Sequence, residues 1–485
     1  MANPKSIAFF GASNNRMVMG SMLLKAVQAF QFEGPIYPIH PKETEVDGLK
    51  AYRSVLDLPE VPDLAVLVLP TGVVAQVLDE CGRKGIKQAI IISAGFKEIG
   101  EQGANLEKEL LQVANKYGIS FLGPNCIGLT NTHKKLNTAF FEYEGEPGFI
   151  GMASQSGSFI NQMFSYLGKM GLGFSTAFSV GNEAMVDIVD CMKYLGDCPH
   201  TRVIGLYIEG IRRGREFVEV ARAISPHKPI VALYVGGSET GRRAGFSHTG
   251  SMAGPDRLYD GIFQQSGVIR ARSVTELFDF CWVLGSSPPP KGSRLIIQTQ
   301  SGGPGAAAAD SCGREGLEMP PLSPETIEKL SPFIPHTGSM NNPVDITFTK
   351  RPLDFFADIP EVLLSEKNAD ILLVYFLMES KYVNETLQSM GVQEDRVNAE
   401  RRKLFESLSR SVAVMLEKHG KPIVGYTFCG FEDEFIQTVI AQGIPVLQGH
   451  ERAARAISAL VKYRRIRERM LSLDKVFEEK LELFN

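Results

Sequence analysis

Short apolar runs rich in valine and isoleucine alternate with helical segments along most of this 485-residue chain. This alternation constrains the fold most, because strands buried on both faces read as continuous apolar runs and need helices to cover them. It predicts an α/β fold of three consecutive modules, each built on a parallel sheet. The predicted strands of the first module are residues 6–13, 34–41, 64–70, 88–95 and 119–125.

Two breaks divide this pattern. A second series of strands opens at GFIGMASQSG (148–157), and the proline run in GSSPPPKGS (285–293) ends it, because such a run continues neither strand nor helix. A third series follows, and the charged residues 451–485 predict one or two helices. The predicted segments are three domains and a helical tail: 1–145, 146–286, 292–465 and 466–485.

The composition argues against several classes of protein. The net charge is −4 and no basic stripe is present, so nucleic acid is not an expected partner. No apolar run approaches the ~18 residues of a membrane helix. Seven scattered cysteines without a C-x-x-C pair favour a reducing compartment, so we expect a cytoplasmic protein. Cys191, Cys198 and His200 lack a fourth ligand, so no metal site is predicted.

Similar turns open the second and third modules. ASQSGSF and TQSGGPG each place Gln-Ser-Gly between a buried strand and a helix. Free backbone N–H groups and the positive end of the helix dipole then point to one place. One such turn is common, but two in one chain could face each other across a single anion.

A glycine turn follows the first strand, in FFGASNNRMVMG. Only part of a dinucleotide fingerprint is present, since Ser13 and Arg16 stand where glycines are required. The second strand ends in IHPK, with Lys42 near the place where an NAD enzyme needs an acidic residue. A cation there suits a phosphorylated ribose, which both NADP and the adenosine 3′-phosphate end of coenzyme A carry. The turns SAGF (93–96) and GPN (123–125) end later strands at the same sheet edge.

Taken together, these motifs match a known family. HPK, SAGFKEIG, GPNCIGL, SQSGSF, SETGRRAGFSHTGSMAG, SGGPGAAAADSC, LSPETIEKL and NNPVDIT occur in the family's order over roughly residues 5–465. The chain resembles the alpha, or CoA-binding, subunit of the NDP-forming (ADP-forming) acyl-CoA synthetases, and more distantly the alpha chain of succinyl-CoA synthetase. The resemblance implies a Rossmann-like CoA-binding domain followed by two flavodoxin-like, succinyl-CoA synthetase-like domains.

The resemblance also implies a reaction. An acid–thiol ligase would convert acyl-CoA, phosphate and ADP reversibly into a carboxylic acid, CoA and ATP, through an acyl phosphate and a phosphohistidine. His248 of SHTG would carry the phosphoryl group, and Glu209, at the end of the YIEG strand, would steady its imidazole. A neutral imidazole is available near pH 7, and a carboxylate on its other nitrogen fixes the tautomer.

Binding residues and partners follow from the same resemblance. The CoA site would comprise Gly11, Ala12, Ser13, Lys42, Ser93, Ala94 and Asn125. The phosphate-binding helix starts would comprise Ser154, Gln155, Ser156, Gly157, Ser301, Gly302, Gly303 and Gly305. No module has room for an ATP-grasp unit, so we expect a separate ATP-grasp beta subunit that binds ATP or ADP with Mg²⁺ in a hetero-oligomer. A small carboxylic acid or its CoA ester would be the remaining substrate.

Two alternatives remain open. An NADP-dependent oxidoreductase could use the first module, although it leaves SHTG and both Gln-Ser-Gly turns unexplained. A non-catalytic CoA-binding regulatory protein could keep the same fold, and it would carry no phosphohistidine. The acyl substrate is also open, because acetate, branched or aryl acids and dicarboxylates all remain possible.

Overall fold

The computed structural model describes residues 1–140, 143, 145–241, 254–347, 351 and 353–484, with only the backbone described for 473–484. It confirms an α/β fold with three largely parallel sheets. The chain divides into two compact units: Met1–Gly168 with Leu172–Arg272, and Lys169–Gly171 with Ser273–Asn485. The first unit holds two of the sheets, and the second unit holds the third.

The strands, numbered in chain order, are β1 Ile7–Phe10, β2 Ile36–Ile39, β3 Glu45–Val46, β4 Leu49–Lys50, β5 Leu64–Leu67, β6 Gln88–Ile91, β7 Ser120–Leu122, β8 Leu129–Asn131, β9 Leu136–Asn137, β10 Ile150–Ser154, β11 Phe174–Ser179, β12 Val203–Ile208, β13 Ile230–Tyr234, β14 Ile269–Ala271, β15 Leu295–Thr299, β16 Val344–Asp345, β17 Ile371–Tyr375, β18 Ile423–Thr427 and β19 Val446–Gln448. The helices of the described residues are α1 Met19–Ala29, α2 Thr71–Lys84, α3 Glu101–Tyr117, α4 Gly157–Gly168, α5 Ile188–Asp197, α6 Gly214–Ile224, α7 Asp256–Ser266, α8 Val274–Ser286, α9 Gly302–Arg314, α10 Pro324–Leu330, α11 Ile359–Ser365, α12 Ser380–Ser389, α13 Glu394–His419, α14 Glu434–Ala441 and α15 His450–Phe484.

The first sheet has the strand order β2-β1-β5-β6-β7, and all of its neighbours run parallel. Every residue of β1 and β5 is buried, which is why their sequences, IAFF and LAVL, are continuously apolar. Helices α2 and α3 both end at a glycine in the left-handed conformation, which satisfies their last carbonyl groups. The five carboxyl ends meet at one edge, where the turns carrying the predicted CoA residues lie.

The second sheet has the order β14-β13-β12-β10-β11-β8-β9. The short strands β8 and β9 are antiparallel additions at one edge, and they come from the segment 1–145 that we predict to form the first domain. Strand β8 lies between β11 and β9, and β9 forms the edge of the sheet. Apolar residues of both sheets, such as Phe9 and Phe178, belong to one hydrophobic cluster. The first two modules therefore share a core.

The second unit contains the third sheet, with the parallel order β16-β15-β17-β18-β19. A π-helical turn, Asp354–Asp358, leads into α11. The charged C-terminal segment forms one helix, α15, whose first turns are buried at Ala453, Ile457 and Leu460. None of the helices in the described part of the chain is both long and apolar enough to cross a membrane.

Candidate active site

A cavity of about 940 Å³ lies in the first unit, at the carboxyl ends of strands from both of its sheets. Its wall includes the turns after β5, β6 and β7 of the first sheet and the turns after β10, β11 and β12 of the second. Parallel sheets bind their ligands at this edge. The predicted site residues that line the cavity are Ser93, Ala94, Asn125, Gln155, Ser156, Gly157 and Glu209.

The other predicted site residues lie elsewhere. Gly11, Ala12 and Ser13 follow β1, and Lys42 follows β2, at the same edge of the first sheet but outside the lining of this cavity. Ser154 is the buried last residue of β10. Ser301, Gly302, Gly303 and Gly305 belong to the second unit, and His248 lies outside the described residues. Their roles in binding therefore stay predictions.

The turn after β1 is as tight as its sequence suggested. Gly11 has a φ of 90°, and a Cβ atom there would lie 1.9 Å from the carbonyl oxygen of Val68. Ser21 Oγ donates to the carbonyl oxygen of Ser13 at 2.7 Å and accepts from its N–H at 3.0 Å. The absence of a side chain at Gly11 is what allows this close approach of backbone, and the binding of a phosphorylated ligand at the turn stays a prediction. The side chain of Lys42 is exposed at the neighbouring strand end.

The two Gln-Ser-Gly turns have the same hydrogen bonds. Ser154 Oγ donates to the carbonyl oxygen of Ser156 at 2.8 Å and accepts from its N–H at 3.1 Å. Thr299 Oγ1 does the same with Ser301, at 2.9 and 3.2 Å. A hydroxyl at the strand end therefore folds each turn into the following helix. The two turns belong to different units, so their convergence on one anion stays a prediction.

The side chain of Gln155 has partners that the sequence did not reveal. Its Oε1 accepts hydrogen bonds from the N–H groups of Glu209 and Gly210. Its Nε2 donates to the carbonyl oxygen of Gly210 at 2.7 Å and to Glu183 Oε2 at 2.8 Å, and its backbone N–H donates to Tyr207. These bonds fix the backbone of Glu209 in the cavity wall. They give the Gln155 side chain a positioning role and do not support the predicted direct contact with phosphate.

Comparison with known proteins decides the family. Family models for a CoA binding domain, a succinyl-CoA ligase like flavodoxin domain and a ligase-CoA domain match residues 5–132, 147–284 and 295–431. The chain is 39% identical over 95% of its length to the acetate–CoA ligase (ADP-forming) II subunit alpha of Pyrococcus furiosus, of which it covers 96%. The chain belongs to the ADP-forming acyl-CoA synthetase family.

Two further proteins of the ADP-forming acyl-CoA synthetase family are also similar to this chain. The acetate–CoA ligase (ADP-forming) I of Archaeoglobus fulgidus is 38% identical over 96% of the chain, which spans only 63% of that protein. A solved structure of Ca. Korarchaeum cryptofilum dinucleotide forming acetyl-coenzyme A synthetase 1, in complex with phosphate and ADP, matches with a TM-score of 0.86, 33% identity and 97% coverage of both chains. The resemblance drawn from the motifs is thus confirmed. An acid–thiol ligase that uses CoA and ADP is supported, and an oxidoreductase is not.

In this member of the synthetase family, one asparagine joins the two sheets at the cavity. Asn182 Nδ2 donates to Glu98 Oε2 at 2.6 Å and to Glu107 Oε2 at 3.0 Å. Its backbone carbonyl oxygen accepts from Lys97 Nζ and, at 2.8 Å, from Arg212 Nη2. The turn after β11 is thereby tied both to the SAGFKEIG segment of the first sheet and to the turn after β12.

The acidic side chains of this region differ in their pKa. Burial raises the pKa of Glu107 to about 7, although the hydrogen bond from Asn182 opposes the rise. Burial likewise raises the pKa of Glu183 to about 7, against hydrogen bonds from Gln155 and the Ile188 N–H. For Glu98, hydrogen bonds from Asn182, Gly95 and Phe96 outweigh burial and lower the pKa. Two carboxyl groups near the cavity therefore titrate close to neutral pH.

Several residues at this family member's cavity were not predicted from the sequence. Lys97, Asn182, Glu183 and Arg212 line the cavity, yet we predicted a role for none of them. The last three follow the carboxyl ends of β11 and β12, and this strand-end position is a signal that could have found them. Glu107 had no such signal. It lies within α3 and is buried there, where Asn182 of the second sheet reaches it.

Replacing Glu107 by glutamine is expected to remove a pH-dependent loss of stability. The pKa of Glu107 is about 7 in the folded chain against an ordinary 4.5, so the folded chain keeps the proton longer than the unfolded chain does. Stability therefore falls as the pH rises from about 4.5 to about 7. The free energy of unfolding of the unaltered chain should fall by about 2–3 kcal/mol between pH 4 and pH 8 because of Glu107, and E107Q should lack this fall. Urea denaturation at both pH values measures this difference.

Glu98→Gln is the matched control, because Glu98 shares the same asparagine but has a lowered pKa. A carboxylate with a lowered pKa stabilises the fold above its unfolded value, and the contribution is lost as the pH falls. E98Q should therefore lose stability at neutral pH, relative to the unaltered chain, where E107Q gains it. Equal pH profiles for the two variants would contradict the assignment.

Proposed function

We propose that this chain is the CoA-binding subunit of an ADP-forming acyl-CoA synthetase and that His248 carries the phosphoryl group. The observation that carries the proposal is that the predicted CoA residues Ser93 and Asn125 line the same cavity as the Gln-Ser-Gly turn and Glu209. A thioester bound along the first sheet would end where the second sheet offers a phosphate site. That is the arrangement needed to turn acyl-CoA into an acyl phosphate.

The proposed chemistry runs in balanced steps. A phosphate oxygen bonds to the thioester carbonyl carbon, the C–S bond breaks, and the sulfur leaves with the electron pair and takes the phosphate proton. A nitrogen of His248 then bonds to phosphorus, and the P–O bond to the acyl group breaks to release the carboxylate. ADP finally takes the phosphoryl group. Dividing one difficult transfer among several easier ones is the general advantage of covalent catalysis.

Named residues of this chain would support those steps. The N–H group of Gly157, at the start of α4, would face the phosphate, because a helix N-terminus favours negative charge. Glu209, whose backbone Gln155 fixes, would orient the imidazole of His248. The turns at Gly11, Ser13 and Lys42 would hold the phosphorylated end of CoA, and the second Gln-Ser-Gly turn would complete the phosphate site.

A second chain completes the proposal. The Pyrococcus furiosus relative is named a subunit alpha, and the Archaeoglobus fulgidus relative is longer, since this chain spans 63% of it. We propose an ATP-grasp beta subunit that binds ATP or ADP with Mg²⁺ and joins this chain in a hetero-oligomer. Acetate is the first candidate acid, because both relatives are acetate–CoA ligases. The seven free cysteines fit a reducing cytoplasmic location.

The test combines turnover with ligand binding. This chain, purified together with its co-purifying partner, should form ATP from acetyl-CoA, ADP and phosphate, whereas neither subunit alone should do so. The chain alone should bind CoA and not NADP⁺ in calorimetric titrations. Absence of ATP formation with acetyl, branched, aryl and dicarboxylic acyl-CoA esters would overturn the ligase, and NADP⁺ binding without CoA binding would favour the oxidoreductase.

A further inference from the structure

Two consecutive arginines follow the turn after β12, and one of them is neutralised. Arg213 donates to the carboxylates of Asp187, Asp190 and Glu216, with distances of 2.6 Å to Asp190 and 2.9 Å to Glu216. Three acidic groups thus surround this guanidinium. Arg213 is also not among the residues that line the described cavity.

Arg212 has a different environment. Its Nη1 and Nη2 donate to the backbone carbonyl oxygens of Glu183 and Asn182, at 2.6 and 2.8 Å. Among the described residues, its nearest carboxylate is that of Glu183, whose Oε2 lies 3.9 Å from Nε, beyond hydrogen-bonding distance. The side chain is 46% exposed and lines the cavity. Carbonyl groups orient a guanidinium without cancelling its charge, so Arg212 keeps a positive charge at the cavity wall.

The surroundings of Arg212 favour an anionic ligand. Two of the five N–H groups of a guanidinium are used by the two carbonyls, which leaves donors for a further acceptor. Burial raises the pKa of the neighbouring Glu183 carboxyl to about 7, so this group neutralises the cation only in part near neutral pH. The Gln-Ser-Gly turn at Gln155–Gly157 lines the same cavity.

We propose that Arg212 binds the oxyanion that reacts in this cavity: the inorganic phosphate that attacks the thioester, and then the phosphoryl group of the acyl phosphate. This inference rests on the proposed function and adds a binding residue to it. A planar guanidinium can donate to two phosphate oxygens at once and adds a full positive charge to the site. Arg212 takes no part in proton transfer, since the phosphate proton goes to the departing sulfur. The carbonyl oxygens of Glu183 and Asn182 orient the guanidinium before phosphate binds.

The first test is a titration of the full chain with inorganic phosphate by calorimetry. Arg212→Gln should weaken phosphate binding by about tenfold or more, because a charge-assisted bidentate contact is lost. Arg213→Gln should leave it within about twofold, since that arginine is already bound by carboxylates. Arg212→Lys keeps the positive charge but loses the bidentate geometry of the guanidinium, so its affinity for phosphate should lie between those of Arg212→Gln and the unaltered chain. Titration with CoA and a thermal melt of each variant report whether the fold is kept.

The second test measures turnover in the complex with the partner subunit. Arg212→Gln should raise the KM for phosphate by about tenfold and leave the KM for acetyl-CoA nearly unchanged. The inference is overturned if phosphate binding is unaffected in Arg212→Gln, if Arg213→Gln lowers it equally, or if the unaltered chain binds no phosphate. The titration needs no turnover. Phosphate binding that depends on Arg212 in a chain without ligase activity would therefore contradict the proposed function alone.

Discussion

His248→Ala is expected to abolish both ATP formation by the complex and labelling of this chain by radiolabelled ATP. The variant has no ring nitrogen to accept the phosphoryl group, so the path between acyl phosphate and ADP is broken. Loss of a covalent nucleophile costs at least about 10³-fold in turnover. In the unaltered chain the label should be acid-labile and base-stable, as a phosphorus–nitrogen bond is. Denaturing electrophoresis after incubation with ATP, Mg²⁺ and the partner measures it.

Two comparisons separate loss of the carrier from general damage. His227→Ala removes an exposed histidine of the same module and should leave labelling intact. His248→Ala should still form acetyl-CoA from acetyl phosphate and CoA. This reaction is the reverse of the first proposed step, and that step does not use the histidine. Labelling that survives in His248→Ala would end the assignment. A chain that is never labelled but still binds CoA would favour the regulatory alternative.

Gly11→Ala is expected to lower both the stability of the chain and its affinity for CoA. The added Cβ would lie 1.9 Å from the carbonyl oxygen of Val68, and φ at this position is 90°. A backbone atom cannot give way as a side chain can, so the end of β1 must move away from β5. The free energy of unfolding should fall by about 3 kcal/mol or more. Urea denaturation and titration with CoA measure the two effects.

Gly72→Ala is the matched control, at a glycine in a helix of the same module. Gly72 lies at the start of α2, has no atom within 4 Å of an added Cβ, and does not have a positive φ. Alanine favours helix over glycine, so this variant should be neutral or more stable by up to about 1 kcal/mol. If Gly11→Ala proved as stable as Gly72→Ala, the close approach of β1 and β5 at this turn would be refuted.

The fold could be predicted where hydrophobic pattern and topology agree. The apolar run at 6–13 contains β1, and the proline run at 285–293 separates α8 from β15. Strands β8 and β9 could not be found in this way, because they have only three and two residues, and β8 pairs with β11, far along the chain, while β9 pairs with β8. Such short strands exist through their partner rather than through their own propensity.

The roles of the predicted site residues stay predictions, but the shared location of several of them follows from the topology. Strand-end position alone brought Ser93, Asn125, Gln155 and Glu209 to one cavity, because parallel strands end at the same edge. What side chains do once there depends on partners that no spacing reveals. Gln155 was assigned to phosphate from its motif, whereas its amide fixes the turn after β12. The role of His248 stays a prediction.

The turns at Ser154–Ser156 and Thr299–Ser301 have matching hydroxyl hydrogen bonds but differ in the residue that stands beside the acceptor of each glutamine. Gln155 donates to Gly210, the residue after Glu209, and Gln300 donates to Leu377, the residue after Phe376. A fully buried phenylalanine thus occupies, at the later turn, the place of the acid at the earlier one. Beside the Thr299–Ser301 turn, this position therefore holds no carboxylate that could orient an imidazole. The role proposed for Glu209 therefore has no counterpart at Phe376, so the two turns cannot be interchangeable in the proposed reaction.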